Sequence, residues 1–391
     1  MKRAIIIVMD GAGIGEMPDA AKYNDQGSNT LGNTADYVHG LNIPNLEKMG
    51  LGNIAPLQGV KIIQEPIASY GKMAELALDK DSTSGHWEIT GLNVKRKFPT
   101  YPKGFPDYII NKFVELTGIP GILCNKPYSG TEVIRDFGEE HIKTKKPIIY
   151  TSADSVMQIA VHEDIYPIKE FYKMCEIART QVFPEAETIG RIIARPFIGD
   201  SPENFHRTGN RKDYSIAPPR PTLLDILKKA NYEVIGVGKI DDLFKMQGLT
   251  ETNHSKTNEQ GIQYTLDCLK KVKSGLIFAN LCDFDSKWGH RNNPEAFAKG
   301  LEYFDSRIPE ILKNLKENDI LFITADHGND PVTPSTDHSR EYVPLLVYGK
   351  EFKSVNLNTR STFSDIAATI AEHFQVKQPE NGTSFLKEIM N

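Results

Sequence analysis

Six residues in this sequence could hold divalent metal ions, and all fall on the loops that follow three apolar runs. Asp326 and His327 close the run Ile320–Ile323 in TADHGNDP, and His338 follows eleven positions later in TDHSRE. Asp285 and His290 follow the run Leu276–Cys282 in DFDSKWGHR, and Asp10 ends the run Ala4–Met9. Taken singly, each is equally a turn aspartate or a surface histidine; their common placement is what points to chemistry. Carboxylate oxygen and imidazole nitrogen together suit Mn²⁺, Zn²⁺ or Fe²⁺, while three histidines disfavour an all-oxygen Ca²⁺ or Mg²⁺ site. Six donors are too many for one tetrahedral ion and about right for two. Two ions can clamp the attacking and leaving oxygens of a phosphoryl transfer and hold a serine as its alkoxide. Ser84, followed by Gly85 in DSTSGHWE, is the expected nucleophile, although an ST-turn or a helix N-cap would use the same residues.

The elements that must position these residues are strands. Ala4–Met9, Glu233–Val237, Leu276–Cys282, Ile320–Ile323 and Val343–Tyr348 are short and rich in β-branched residues, and polar or glycine-containing loops stop them. Between them lie amphipathic helices, among them Thr222–Ala230, a long one starting at Pro294, and Thr362–Phe374. This alternation predicts an α/β core with a mostly parallel sheet covered by helices on both faces. In such sheets ligands bind beyond the carboxyl ends of the strands, where all six metal candidates fall. Two proline-rich stretches, PTYPKGFPD from residue 99 and APPRP at 217–221, mark boundaries. They predict an inserted α+β cap domain at 99–219, and a core made of 1–98 and 220–391. In the insert, Asp154 stands out after an apolar run, and the arginines 191, 195, 207 and 211 are candidates for gripping a phosphate.

With 391 residues, 39% hydrophobic and 25% charged, the chain has the composition of a soluble globular protein. A net charge of −5 argues against a nucleic-acid surface. The start, MKRAIIIVMD, carries only a six-residue apolar run and no small-residue cleavage site, so it reads as a first strand rather than a signal peptide. No segment approaches the length of a membrane span. Cys124, Cys175, Cys268 and Cys282 have no CxxC spacing and read as reduced cysteines of a cytoplasmic protein. The glycines at 11, 13 and 15 miss the dinucleotide fingerprint, and no GxxxxGK precedes Lys239.

Read together and in order, VMDGAGIGEMPDA, DSTSGHWE, YTSADS, RIIARPF, DFDSKWGHR, TADHGNDP and TDHSRE resemble the phosphopentomutase family of the alkaline phosphatase superfamily. The resemblance implies an alkaline-phosphatase-like core with an inserted cap, two Mn²⁺ ions or other divalent metals, and a phosphorylated hydroxyl residue. It places Asp10, Asp326 and His327 on the ion that touches the nucleophile, and Asp285, His290 and His338 on the other. It further implies interconversion of ribose 1-phosphate and ribose 5-phosphate, and of the 2-deoxyribose pair, with a sugar bisphosphate as primer. Asp154 would contact sugar hydroxyls, and Arg191, Arg207 and Lys239 the distal phosphate. The family usually has Thr before Gly-His-Trp-Glu, where this chain has Ser84. The alternatives are a cofactor-independent phosphoglycerate mutase or related phosphatase, and a non-catalytic module that binds sugar phosphate or metal.

Overall fold

A computed structural model describes residues 1–94, 98–152, 155–184 and 188–390. The chain divides into two compact units, Met1–Arg96 with Ala217–Asn391, and Lys97–Ile216. The first is built on an eight-stranded sheet. Its strands lie in the order Glu251–Asn253, Glu233–Val237, Gly275–Leu281, Arg3–Met9, Asp319–Thr324, Val343–Tyr348, Ser69–Met73 and Asn356–Arg360. Only Val343–Tyr348 runs against its neighbours, so the sheet is mostly parallel.

Arg3–Met9 lies between two parallel partners and is buried along its whole length, which is why it reads as an unbroken apolar run. Burying each of its isoleucines contributes about 1.5–3 kcal/mol. Its register pairs Met9 with Leu281 and Val8 with Thr324. Parallel pairing in this register makes all three strands end at one edge. Asp10, the segment after Leu281 and the segment after Thr324 therefore leave the sheet together. At the other end Arg3 is fully buried and forms an ion pair with Asp319, with Nε 3.0 Å from Oδ1. The basic start of the chain is thus part of the core.

The helices agree with the periodicity and shift at their ends. Thr222 caps Leu223–Lys229 through a capping box with Asp225, and Asn293 caps Pro294–Asn314. The last long helix is Asp365–Phe374, beginning three residues later than expected, and a short helix Leu386–Ile389 follows it. No helix of the described residues is long and apolar enough to cross a membrane.

The second unit carries a six-stranded mixed sheet, with Leu123–Pro127, Ile148–Thr151, Val156–His162, Arg191–Ile198 and His206–Arg207 in line. Lys212–Ser215 also pairs with Arg191–Ile198. Alternation along the strands separates two cores. Ile149, Met157, Ile159 and Val161 join the cluster around Phe113 and Phe171, and Ile148, Tyr150 and Ala160 join the one around Val133 and Phe197.

Candidate functional site

Three loops at the carboxyl edge of the first unit's sheet bring the donors together. Asp10 and His327 are fully buried, with Asp10 Oδ1 3.4 Å from His327 Nε2. His327 Nε2 is also 3.4 Å from Asp326 Oδ2. On the next loop Asp285 Oδ1 lies 3.1 Å from His338 Nε2 and 3.3 Å from His290 Nε2. Ligand atoms of Asp10, Asp326 and His327 fall within 4.8 Å of one another, and so do those of Asp285, His327 and His338. His327 stands in both groups, where the sequence reading assigned it to one, and His290 joins through Asp285.

Two observations fit these residues to cations. His327 Nδ1 donates to the Gly328 carbonyl at 3.0 Å and His290 Nδ1 to that of Thr336 at 2.6 Å, so in each ring Nε2 is the nitrogen that faces the carboxylates and is left for a cation. Asp326 Oδ2 and His338 Nε2 are buried and make no aligned hydrogen bond, which a buried polar atom avoids unless something else satisfies it. The electrostatics agree. Burial opposes ionisation of Asp10, but the nearby charge of Lys239 and the hydrogen bond to His327 prevail and hold its carboxyl at about 2. Asp285 is likewise well below the usual range, with burial outweighed by His338 and His327. Burial lowers the His327 pKa, yet Asp326 and Asp10 carry it well above its ordinary value. Three clustered carboxylates demand positive charge, and in the metal-free protein His327 supplies it together with Lys239.

Of the two serines, Ser82 is the one whose hydroxyl lies beside these donors, where the sequence singled out Ser84. Ser82 is half-buried at the first position of the helix Ser82–Ile89, with Oγ 3.1 Å from His327 Nε2 and 3.4 Å from Asp10 Oδ1. Ser84 is fully buried two positions on, and its Oγ turns to Asp81 Oδ2 at 3.3 Å. The motif misleads because Gly85 serves a different purpose. A Cβ there would lie 2.2 Å from the Asp326 carbonyl, so Gly85 lets the helix approach the metal loop rather than exposing Ser84. Asp81 caps the helix by accepting from the Thr83 and Ser84 amides.

The other expected contacts lie on both units. Lys239 Nζ lies 3.7 Å from Asp10 Oδ2, in the metal cluster itself. Burial lowers its pKa, but Asp10 and Asp285 raise it above the ordinary amine range, so it stays charged. Arg191 begins its strand and Arg207 pairs with Phe197 six residues along, about 20 Å away, so the two do not form one clamp. Arg207 instead belongs with Arg195 and Arg211, whose charges act on the buried Tyr150 hydroxyl, an atom with no hydrogen-bond partner among the described residues. Burial and the two like charges hold Arg195 below its usual range. Arg211 also pairs with Asp213 at 2.8 Å. Asp154 lies outside the described residues.

Residues the motifs did not single out hold the loops. Asn329 Nδ2 donates to Asp285 Oδ1 at 2.7 Å. Asn280, inside the strand Gly275–Leu281, donates from Nδ2 to Asp10 Oδ2 at 2.9 Å. Glu341 ties three segments: Oε1 accepts from the Thr30 and Ser339 hydroxyls at 2.8 and 2.7 Å, and Oε2 from the Thr30 and Gly15 amides at 2.9 and 3.2 Å. A Cβ on Gly13 would lie 2.4 Å from that carboxylate, so this glycine makes room for Glu341 rather than for a ligand.

Glu341 also gives a pH dependence. Burial raises its pKa from an ordinary 4.5 to about 7 against four hydrogen bonds. The folded protein therefore holds a proton that the unfolded chain has lost between these values. Its contribution to stability is fully present below about 4.5, declines as pH rises towards 7, and costs on the order of 3 kcal/mol above that. Glu341→Gln can keep the geometry, because its amide can donate to two hydroxyls while its oxygen accepts from two backbone N–H groups. We expect the wild type to lose more thermal stability than the variant between pH 5 and pH 7.5. Equal losses would remove Glu341 as the source.

A family model described as "Metalloenzyme superfamily" matches residues 2–378. The phosphopentomutase of Dictyoglomus turgidum is 56% identical over 390 residues, covering 100% of this chain and 98% of its own length. That of Clostridium novyi is 53% identical over 391 residues, covering 100% of both. Among solved structures, the phosphoglycerate mutase of Leishmania mexicana aligns over 97% of this chain and 96% of its own, with a TM-score of 0.49 and 12% identity.

Proposed function

The chain belongs to the phosphopentomutase family, and from that premise we propose that this isomerase moves a phosphoryl group between O1 and O5 of ribose, and of 2-deoxyribose, by way of Ser82. The observation that carries the assignment is the Ser82 hydroxyl 3.1 Å from His327 and 3.4 Å from Asp10, while the Ser84 hydroxyl bonds to Asp81.

In the working cycle Ser82 begins phosphorylated, having been primed by a sugar bisphosphate. The free hydroxyl of ribose 5-phosphate attacks the phosphorus; the new P–O1 bond forms as P–Oγ breaks, Oγ leaves with the bonding pair, and the proton of the sugar hydroxyl ends on Oγ, which restores the serine hydroxyl. The product is the 1,5-bisphosphate. Ser82 then attacks its other phosphate, releasing ribose 1-phosphate and restoring the phosphoserine. Asp10, Asp326 and His327 would hold one Mn²⁺, and Asp285, His290 and His338 a second, with His327 between the two groups. Bound there, such ions supply Lewis-acid polarisation of phosphoryl oxygens and lower the pKa of the serine hydroxyl. Lys239 contributes a fixed positive charge beside Asp10, which offsets the charge of the transferring group. The first position of a helix also favours a phosphorylated side chain, through the partial positive charge of the helix amino end.

In the second unit, Arg207 with Arg195 and Arg211 is the group suited to the phosphate that is not being transferred. Asp154 remains our candidate for the sugar hydroxyls, and Arg191 is the weakest of the proposed contacts, being placed apart from the other arginines.

The test is direct. Protein supplied with Mn²⁺, ribose 5-phosphate and a trace of ribose 1,5-bisphosphate should form ribose 1-phosphate, and should leave 3-phosphoglycerate unchanged. Free phosphate without isomerisation would identify a phosphatase instead, and turnover of 3-phosphoglycerate a different mutase.

A further inference from the structure

His86 is fully buried, four residues after Ser82 on the same helix, and touches no substrate position in the proposed reaction. Its ring lies against Phe278, with centroids 5.5 Å apart and planes 32° from parallel. Nδ1 is 2.8 Å from the Ser82 carbonyl oxygen and Nε2 is 3.1 Å from Asn280 Nδ2. Asn280 Nδ2 is also 2.9 Å from Asp10 Oδ2.

The proton positions along this chain follow from chemistry. The Asp10 carboxylate only accepts, so Asn280 must turn its NH₂ toward it, and the second hydrogen of that NH₂ points to His86. His86 Nε2 must then accept, which puts the ring proton on Nδ1, where it donates to the Ser82 carbonyl. Every atom along the path has one consistent role. The same Nδ1 stands 3.0 Å from Asp326 Oδ2, a carboxylate oxygen without an aligned hydrogen bond of its own. One neutral imidazole therefore lies against a ligand of the first metal group while linking the nucleophile's backbone to Asp10.

We propose that His86 and Asn280 are positioning residues that hold Ser82 in register with Asp10. The proposal rests on the reading of Ser82 as the phosphoryl carrier and of Asp10 as a metal ligand. Hydrogen-bond partners behind metal ligands typically change metal affinity or activity by about 10–100-fold when removed.

Two substitutions at residue 86 separate positioning from mere support of the fold. His86→Asn can place an amide donor where Nδ1 was and keep the bond to Ser82, losing only the link to Asn280. His86→Gln can reach Asn280 but gives up the side-chain bond to the Ser82 carbonyl. We expect kcat to fall about 10–100-fold in His86→Gln and several-fold less in His86→Asn, with KM for ribose 5-phosphate little changed in both. Equal kcat values for the two variants, or no loss in either, would overturn the role of the Nδ1 proton.

A second measurement does not depend on turnover. Calorimetric titration of metal-free Asn280→Ala with Mn²⁺ should show affinity about 10–100-fold below wild type, because Asp10 loses its only amide partner among the described residues. Wild-type affinity in that variant would overturn the role of Asn280. Should His86→Gln fail to fold, this titration decides the proposal alone. If Ser82 were not the phosphoryl carrier, Ser82→Ala would stay active whatever the titration showed, so the two failures are distinguishable.

Discussion

Ser82→Ala should lose mutase activity by on the order of 10⁴- to 10⁶-fold, the scale seen when a covalent nucleophile is removed, while Ser84→Ala keeps activity within a few-fold of wild type. Both serines lie in the helix Ser82–Ile89, two residues apart, so a general disturbance of that helix would affect them alike. The difference is in where they point. Ser82 sits 3.1 Å from His327 and Ser84 faces Asp81. Neither substitution removes the helix cap, because Asp81 supplies it through the Thr83 and Ser84 amides. Ser84→Ala removes one long hydrogen bond of about 1 kcal/mol from a buried position and should show as slightly lower thermal stability. Mass spectrometry of the primed enzyme should find phosphate on Ser82 in the peptide that contains both. Phosphate on Ser84, or an inactive Ser84→Ala beside an active Ser82→Ala, would reject the assignment.

Where the sequence was informative and where it misled have physical reasons. Ala4–Met9 and Ile320–Ile323 were readable as strands because a strand buried on both faces needs apolar residues at every position. Each strand is longer than that reading by one or two residues, since Arg3 and Asp319 are buried as a pair and periodicity does not register a buried charge. The donors after these strands meet at one edge because parallel strands in register end together. Side-chain direction was not readable in the same way. Ser82 and Ser84 differ by two residues and so by slightly more than a half-turn of helix, about 200°, which composition and glycine flanking do not resolve. The sequence does carry a sign of Ser82, in an aspartate at the capping position directly before it and a histidine four residues after it. Asn280 and Glu341 escaped notice for a different reason. Each is a buried polar residue whose partners come from distant segments, and only the folded arrangement joins them. Lys239 and Arg191 carry the right charge for a phosphate, but charge alone does not set Lys239 beside Asp10 or Arg191 apart from Arg207.

His327→Ala should cost more than the loss of any other histidine here, because its Nε2 is shared between both donor groups. His290 contributes at the edge, through Asp285, with its side chain 29% exposed, and His290→Ala should retain measurable activity, down about 10–100-fold. His327→Ala should fall below that by a further order of magnitude or more, and its Mn²⁺ titration should show both binding steps weakened. Equal losses in the two variants would mean that His327 serves one ion only. A chelator should abolish activity, and Mn²⁺ should restore it along with stability, since a ligand at 100 times its Kd adds about 2.7 kcal/mol per site. The proton balance gives an independent check. In the metal-free protein Asp326 and Asp10 hold the His327 pKa well above its ordinary value, so near pH 7 the ring carries a proton on Nε2 that a cation must displace. Binding should therefore release a proton, seen as a dependence of the calorimetric heat on the ionisation enthalpy of the buffer, and Mn²⁺ affinity should rise with pH. His327→Ala has no such proton to lose, so its binding heat should depend less on the buffer than that of wild type. A variant that released as many protons as wild type would place the displaced proton elsewhere in the cluster, and His327 would not be the residue that balances its three carboxylates.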